Sequence, residues 1–263
     1  MKKMRLGGLV SVLVISLLGI GQVCAQELAF PGAMGFGKYV SGGRGGETVH
    51  VTNLNASGPG SLADAVSKPH RIVVFDVQGV IRLKPNERII VADSVSILGQ
   101  TAPGRGITVY GSTFQVKGNN VILRYLRMRG SMNMGRGKCT FVCDHVDGLM
   151  VDHCSISWGR WDNAHIKQSH NVTWQNCIIA EGIAPQRFGA ITDETDRWTV
   201  VRCLWADNKS RNPKMKCGIQ YVNNVVYNCN NGVVGGHSER DHYQDVVNNV
   251  FISGPTSDHP DSY

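Results

Sequence analysis

Four cations crowd into the nine-residue stretch NKSRNPKMK, which covers residues 208–216 and contains no carboxylate. They are Lys209, Arg211, Lys214 and Lys216. Pro213 fixes its own φ and biases Asn212 toward an extended conformation, so we expect a stiff loop. Such a run is usually a solvated basic loop. It becomes a candidate site for a polyanion only if the rest of the chain places it beside a groove.

The side chains of Arg211 and Lys216 are expected to lie close together in this loop. Mutual repulsion and partial desolvation would disfavour the charged form of each side chain. A guanidinium is normally never a base. In a crowded and partly buried site, however, the neutral form of Arg211 comes within reach when a substrate binds.

A repeat of short β-rich segments indicates which element carries this loop. Aligning five of the segments brings Cys154, Cys177, Cys203, Asn224 and Asn249 into one column, at intervals of 23, 26, 21 and 25 residues. The column two positions later is entirely apolar: Ile156, Ile179, Trp205, Val226 and Phe251. This period, with β-branched strands and no helical pattern, predicts a solenoid of the parallel β-helix type. A leucine-rich horseshoe is disfavoured because no leucine recurs at fixed positions.

The same columns predict how the turns stack. Strands of adjacent turns lie about 4.8 Å apart, so like residues meet along the stack. We expect the cysteines to be buried, unbonded thiols rather than disulfides, and the asparagines to form a hydrogen-bonded ladder. Near the start of the repeat, GPGSLADAVSKP predicts a short helix with Ser61 as its N-cap, which would cover the N-terminal end of the core.

Repeat register also predicts a groove. Asp162 lies eight residues after Cys154, Arg187 ten after Cys177, and Arg211 eight after Cys203. Three successive turns would therefore project an acid, a base and the cationic loop from one face, as a site for an extended polymer. Trp158 and Trp161 could stack on sugar rings, although Trp158 could equally cover the core.

Residues 1–25 have the basic start, apolar middle and small-residue end of a secretory signal peptide. Their removal takes away Lys2, Lys3 and Arg5, which lowers the formal net charge from +7 to +4. No later stretch is apolar enough to span a membrane. We therefore expect an exported protein, secreted, periplasmic or at the cell surface, with one β-helical domain over residues 26–263. Its C-terminal end carries no obvious cap, as in a truncated product or a protein in which something else covers the last turn.

Several motifs resemble the pectate lyases of polysaccharide lyase family 1. FPGAMGFG followed by GGRGG, together with GQTAPG, is the most specific part, and SRNPKMK is also similar. The resemblance covers nearly the whole mature chain. It implies a right-handed parallel β-helix that cleaves polygalacturonate by β-elimination, generally with calcium. By position, Arg211 matches the proton-abstracting arginine and Lys216 matches a cation that binds the substrate carboxylate.

Two departures from the family bear on the remaining site residues. Relatives carry a calcium-binding aspartate where this chain has Cys139, a poor ligand for a cation that prefers oxygen. Any Ca²⁺ site is thus expected to be weakened and centred on Asp162, completed by Asp144 and by carboxylates of the substrate. The family's substrate-binding lysine is not evident, and Arg187 is its candidate substitute. Lys209 and Trp161 complete the candidate substrate-binding set.

The predicted function is thus a polysaccharide lyase acting on an acidic plant-type polysaccharide, as a monomer. Two alternatives stay open: a calcium-independent pectin lyase, and a non-catalytic β-helix that binds acidic glycans. An inverting hydrolase would need a cluster of acidic groups that is absent from the motifs. Nucleic-acid binding is not expected, because the charge is modest and no nucleic-acid-binding motif occurs.

Overall fold

A computed structural model describes residues 26–236 and 239–258 of the 263-residue chain. The predicted signal peptide lies outside these residues. The described chain winds into a parallel β-solenoid with three sheets, and the predicted all-β fold is confirmed. No helix of the described residues is long and apolar enough to cross a membrane.

Each complete turn of the solenoid contributes one strand to each of three parallel sheets, and the terminal turns of the described residues contribute fewer. Sheet A has nine strands: β1 (Glu47–Val51), β2 (Arg71–Phe75), β5 (Val95–Leu98), β8 (Val121–Arg124), β11 (Asp147–Asp152), β14 (His170–Gln175), β17 (Thr195–Val201), β20 (Cys217–Val222) and β23 (Gln244–Val247). Sheet B has eight: β3 (Gly79–Arg82), β6 (Ile107–Tyr110), β9 (Leu126–Arg129), β12 (Ser155–Ser157), β15 (Ile178–Ala180), β18 (Leu204–Ala206), β21 (Val225–Tyr227) and β24 (Val250–Ile252). Sheet C has seven: β4 (Arg88–Val91), β7 (Thr113–Val116), β10 (Phe141–Asp144), β13 (Asp162–Lys167), β16 (Phe188–Asp193), β19 (Lys214–Met215) and β22 (Val234–Gly235).

The turn from sheet A to sheet B is made by a single residue in the left-handed region. In successive turns this residue is Tyr125, His153, Asn176, Arg202, Asn223 or Asn248, with φ between 52° and 56°. Asparagine tolerates this conformation better than most residues, which explains its recurrence. The residue that follows points into the core and begins the column seen in the sequence.

That column forms the predicted ladder. The Cys203 N–H donates to Asn224 Oδ1 at 2.9 Å, and the Asn224 N–H donates to Asn249 Oδ1 at 2.8 Å. One turn earlier, the Cys177 N–H donates to the sulfur of Cys203 at 3.4 Å. All seven cysteines of the described residues are free and buried. Thiol sulfur and amide oxygen thus serve the same purpose, accepting the backbone N–H of the turn before.

The core is one continuous apolar stack inside the three sheets. Ile156, Ile179 and Trp205 lie in register on successive strands of sheet B, as the sequence columns predict. At the N-terminal end, the single-turn helix α1 (Leu62–Ala65) begins after Ser61, whose Oγ accepts the Asp64 N–H at 3.2 Å. Leu62 is fully buried, so α1 covers the end of the core as expected. A second short helix, of 3₁₀ type, spans Gly99–Thr101.

Candidate active site

The outer face of sheet C carries the cationic loop. The guanidinium of Arg211 lies over the ring of Phe188, 4.1 Å from its centroid. Its Nη1 is 3.0 Å and 3.3 Å from the two carboxylate oxygens of Asp162. Asp162 begins β13 and Phe188 pairs with it on β16, so the Arg211 side chain reaches back across two turns. The predicted alignment of the Asp162 and Arg211 loops is therefore confirmed.

Buried amides hold the loop in place. Asn208 and Asn212 are both almost fully buried, and Asn208 Nδ2 donates to Asn212 Oδ1 at 3.0 Å. Asn163 Nδ2 donates to Asn208 Oδ1 at 2.9 Å and so connects the loop to β13. An unpaired buried amide is costly, so this network opposes movement of the loop. The sequence analysis attributed the stiffness to Pro213 and missed these asparagines.

The ion pair changes the electrostatic argument made from the sequence. Arg211 is paired with Asp162, and the ammonium of Lys216 lies 3.0 Å from Asp193 Oδ1. The expected crowding of two uncompensated cations at these positions is therefore wrong, because each has a carboxylate partner. Burial raises the pKa of Asp162 to about 7, although the guanidinium of Arg211 acts in the opposite direction. The carboxylate beside Arg211 is thus easier to protonate than an ordinary aspartate.

A second set of polar contacts on sheet C lies beside the Arg211–Asp162 pair and joins His165, Asp193 and Lys216. Asp193 Oδ2 lies 2.6 Å from His165 Nε2, so Asp193 links His165 and Lys216. Burial lowers the pKa of His165 despite this carboxylate, which favours the neutral imidazole near pH 7. Burial opposes ionisation of Asp193, but hydrogen bonds from His165 and Lys216 outweigh it and lower the pKa of Asp193.

Lys214 is influenced by the charges of both ion pairs, Arg211–Asp162 and Lys216–Asp193. Burial and the charges of Arg211 and Lys216 lower the pKa of its ammonium, while Asp162 and Asp193 raise it less. Cations therefore do crowd together in the loop, but the side chain whose pKa this crowding lowers is Lys214, whereas the sequence predicted the effect for Arg211 and Lys216. His165 and Asp193 were also missed. The alternation along β13 and β16 could have placed both on the outer face, where residues two apart point the same way.

The remaining predicted substrate-binding residues lie nearby but do not join the ion pairs. Arg187 and Lys209 line a shared depression with Asn228, Asn230 and Asp258, and the Lys209 N–H donates to the Arg187 carbonyl at 2.7 Å. Trp161 directly precedes Asp162 and is 38% exposed, so one face is open to a ligand. Trp158 instead packs at the edge of sheet B, where its Nε1 donates to Glu181 at 2.8 Å.

The oxygen ligands do not fit the calcium site expected from the sequence. Asp144 pairs with Lys167 in the sheet register, whereas Asp162 lies five residues before Lys167 on the same strand. The two carboxylates are therefore separated by roughly 16 Å along the strands and cannot share one ion. Asp162 is engaged by Arg211, and Asp144 Oδ1 is 2.8 Å from His145 Nδ1. Across residues 26–236 and 239–258, no group of three potential protein ligands converges.

Cys139 is the residue at which the motif resemblance led us to expect a calcium-binding aspartate. It is 5% exposed and lies near Asp162. Burial, and then the charge of Asp162, raises the pKa of this thiol to about 12. A thiol that keeps its proton is not a ligand for a hard cation. Both the residue type at position 139 and the raised pKa of its thiol therefore argue against a calcium ligand here.

A groove continues along the outer face of sheet C toward the N-terminal turns. It is lined by polar and charged side chains that include Arg88, Gln115, Lys138, His165 and Lys167, together with the carboxylate of Asp144. These residues come from four successive turns, and three of them are permanent cations. Sequence analysis did not single them out because they are far apart in the chain and share no motif.

Comparison with known proteins reveals strong similarity to curated pectate lyases. Probable pectate lyase C from Neosartorya fischeri is 43% identical over 249 residues, which cover 93% of this chain and 59% of that protein. The protein of the same name from Aspergillus terreus is 43% identical over 258 residues, 97% of this chain and 60% of that protein. The chain thus spans about three fifths of the length of these relatives. No protein-family model matches it.

Solved structures show the same fold at low sequence identity. Pectate lyase Bsp165PelA from Bacillus sp. N165, solved in complex with trigalacturonate, has a TM-score of 0.60 and 12% identity over 85% of this chain and 88% of that chain. Jun a 1, the major allergen from cedar pollen, has a TM-score of 0.55 and 16% identity over 84% of this chain and 82% of that chain. The resemblance predicted from the motifs is confirmed: the chain is similar in sequence to proteins named probable pectate lyase C, and it shares the parallel β-helical fold of the solved pectate lyases.

Proposed function

We propose that the protein is a polysaccharide lyase that cleaves polygalacturonate or a related pectin by β-elimination. The observation that carries this proposal is the Arg211–Asp162 ion pair, with the second ion pair of the same cationic loop, Lys216–Asp193, beside it on sheet C. It is supported by 43% identity to proteins named probable pectate lyase C, over more than nine tenths of this chain. Since an extended acidic polymer needs a long positive groove, the Arg88, Lys138 and Lys167 side chains are also consistent with it.

In the proposed reaction, a base removes the C5 proton of a uronate and the C4 oxygen leaves with the bonding electrons, which creates a C4–C5 double bond. The C5 proton is only weakly acidic, and cations around the adjacent carboxylate make it more so. Lys216, with Lys214 beside it, is assigned to that carboxylate. The leaving oxygen takes a proton from solvent.

Arg211 is assigned as the base. Substrate binding would exclude water and weaken the charged form of the Arg211–Asp162 pair. Burial already raises the pKa of Asp162 to about 7, so its carboxylate accepts a proton more readily than an ordinary aspartate; in this scheme it takes the guanidinium proton only once bound substrate has further disfavoured the charged pair. The neutral guanidine then accepts the C5 proton. In this scheme Asp162 acts as the internal proton acceptor that makes Arg211 a base, a role different from the metal ligand predicted from the sequence.

The other predicted substrate-binding residues are assigned to the sugars on either side of the reacting uronate. Arg187 and Lys209 line one depression and would bind a second uronate, while Trp161 offers an open ring face for stacking. We also propose that the protein is exported and acts as a monomer. No step of this mechanism is routed through calcium, because the described carboxylates do not fit such a site.

A non-catalytic acidic-glycan-binding protein is the second candidate. It is favoured by the same ion pair, since a guanidinium held by a carboxylate is a stable binder of anions and a poor base. The two candidates differ in one product: only a lyase forms unsaturated uronides.

The deciding experiment follows the ultraviolet absorbance of unsaturated uronides on polygalacturonate, with and without calcium, and on methylated pectin. We expect wild-type elimination, and loss of most of the rate in Arg211→Lys, since an ammonium keeps the charge without the forked geometry. A loss of about 10²–10⁴-fold is typical of a missing general base. Lys216→Ala should mainly raise KM. Arg202→Lys, at an exposed turn on another face, is the matched control.

Near-normal elimination by Arg211→Lys would refute the assignment of the base. Saturated products from the wild type would refute the lyase itself. Retention of polygalacturonate without any product would establish the binding protein instead.

A further inference from the structure

A second cationic region lies away from the proposed active site. Residues 94–143 contain seven lysines and arginines and no aspartate or glutamate. The seven are Arg105, Lys117, Arg124, Arg127, Arg129, Arg136 and Lys138. Lys138 lines the groove on sheet C and Arg124 pairs with Asp152 in the sheet A corner. The proposed lyase mechanism does not use Arg105, Arg127 or Arg129.

These three arginines meet Arg82 on the outer face of sheet B, at its N-terminal end. Register pairs Arg82 with Tyr110 and Tyr110 with Arg129, so the two arginines flank one aromatic ring across three adjacent strands. Their Cα atoms are therefore roughly 10 Å apart. Arg127 lies two residues before Arg129 on the same side of β9. We call Arg82, Arg105, Arg127 and Arg129 the arginine face.

Side chains of the arginine face are held by the sheet beneath them. Arg127 Nε donates to Thr108 Oγ1 at 2.9 Å, and another of its N–H groups donates to the Arg105 carbonyl. Arg129 Nη2 donates to Ser155 Oγ at 2.8 Å. The guanidinium of Arg82 lies 5.6 Å from the centre of the Tyr110 ring. Such fixed guanidinium groups lose little rotamer entropy when an anion binds.

The arginine face has more positive charge than the nearby carboxylate of Glu181 can balance. Among the residues that the structure describes, none of its four arginines forms an ion pair with a carboxylate. Burial lowers the pKa of Arg129, and the charge of Arg127 lowers it further. The charge of Glu181 raises the pKa of Arg129, and the Glu181 carboxylate accepts a hydrogen bond from Trp158 Nε1 at the edge of sheet B. Three guanidinium groups held beside two aromatic rings, those of Arg82, Arg127 and Arg129, are thus available to an external anion.

We propose that the arginine face binds a second stretch of acidic polysaccharide, outside the groove on sheet C. The inference rests on the proposed substrate class and assigns it an additional, non-catalytic site. Planar guanidinium forks suit carboxylates, and the rings of Tyr110 and Trp158 offer apolar surface to sugars between the charges. A long polymer can occupy both sheets, and the second contact then raises its effective affinity. Oligomers too short to reach sheet B gain nothing.

The test compares the double variant Arg82→Gln/Arg127→Gln with Lys117→Gln/Arg202→Gln, which removes two exposed cations elsewhere. Each full-length protein is run in native gels that contain increasing polygalacturonate, and elimination is followed on the polymer and on trigalacturonate. We expect roughly tenfold weaker retardation of the face variant, as two lost exposed charge contacts suggest. Its KM should rise on the polymer and stay unchanged on trigalacturonate. Circular dichroism and the unfolding temperature report on folding.

Arg127→Lys adds a second readout, since it keeps the charge and removes the fork, and we expect partial retention of binding. Retardation of the face variant equal to that of the control variant would overturn the proposal. Tighter binding of duplex DNA than of polygalacturonate, lost in the same face variant, would identify a different polyanion and overturn it as well. Because retardation needs no catalysis, the result stands even if the protein forms no unsaturated product.

Discussion

At the scale of single residues, the central feature of the candidate site is an ion pair between a buried carboxylate and a guanidinium. Asp162 has a fully buried side chain, whereas that of Arg211 is 18% exposed. The carboxylate therefore bears most of the desolvation cost, which is why its pKa rises to about 7 even beside a cation. Whether Asp162 is protonated then depends on the pH and on how far water reaches its carboxylate.

This predicts a pH dependence of stability that Asp162→Asn should remove. The folded-state pKa of about 7 lies above the unfolded value of about 3.9, so the folded protein binds a proton that the unfolded chain has released. Stability from this group is present below about pH 4 and is lost as pH rises toward 7. Each unit of pKa difference contributes about 1.4 kcal/mol. Urea unfolding of both proteins between about pH 4 and 8 should show the steeper decline in the wild type.

Parallel pH profiles of the two proteins would contradict this prediction. The comparison isolates Asp162, because the substitution replaces only this carboxyl group. All other titrating groups are shared.

Sequence patterns predicted Arg211 and Asp162 as site residues but not the bond between them. Repeat register placed both loops on one face, which needs only the period. The bond spans 49 residues and two turns, and depends on the direction of the Arg211 side chain over Phe188. His165, Asp193 and the buried asparagines carry no motif at all. Their roles arise from strand alternation and local packing, which one sequence does not specify.

At the scale of elements, the ladder between sheets A and B was the best-predicted feature. It could be predicted because the same backbone N–H must be satisfied in every turn, so the same column recurs. Asn224 shows what the ladder requires. It is 1% exposed, accepts the Cys203 N–H at 2.9 Å and donates to the Val200 carbonyl at 3.0 Å.

Asn224→Ala should therefore destabilise the protein by about 3 kcal/mol, since it leaves buried backbone groups without partners. Asn224→Cys is the matched variant, because a thiol accepts the corresponding N–H in the turns before. We expect it to cost clearly less than alanine in denaturant unfolding. Equal losses for the two substitutions would show that volume, and not the hydrogen-bond acceptor, determines stability at this column.

At the scale of the whole molecule, an N-terminal segment ties the turns together. Residues 34–46 run along the outer face of sheet A as an N-terminal strap. The Phe36 N–H donates to Thr199 on β17, the Gly37 N–H to Thr173 on β14, and the Gly43 N–H to Ser96 on β5. The sequence analysis used these glycines only as a family motif. Their physical role is close approach: a Cβ at Gly43 would overlap the Arg71 carbonyl oxygen.

A solenoid held only by neighbour contacts is free to unfold turn by turn, whereas a strap across several turns should join them into one unit. Gly43→Ala should therefore destabilise the whole fold, because forced overlap with backbone typically costs 1–3 kcal/mol. For a chain of this size we expect the unfolding temperature to fall by about 4–10 °C while a single transition is kept. Gly137→Ala is the control, since its Cβ would meet no atom within 4 Å. Calorimetry that showed an unchanged temperature for Gly43→Ala, or two separate transitions in the wild type, would contradict the view that the strap couples the turns.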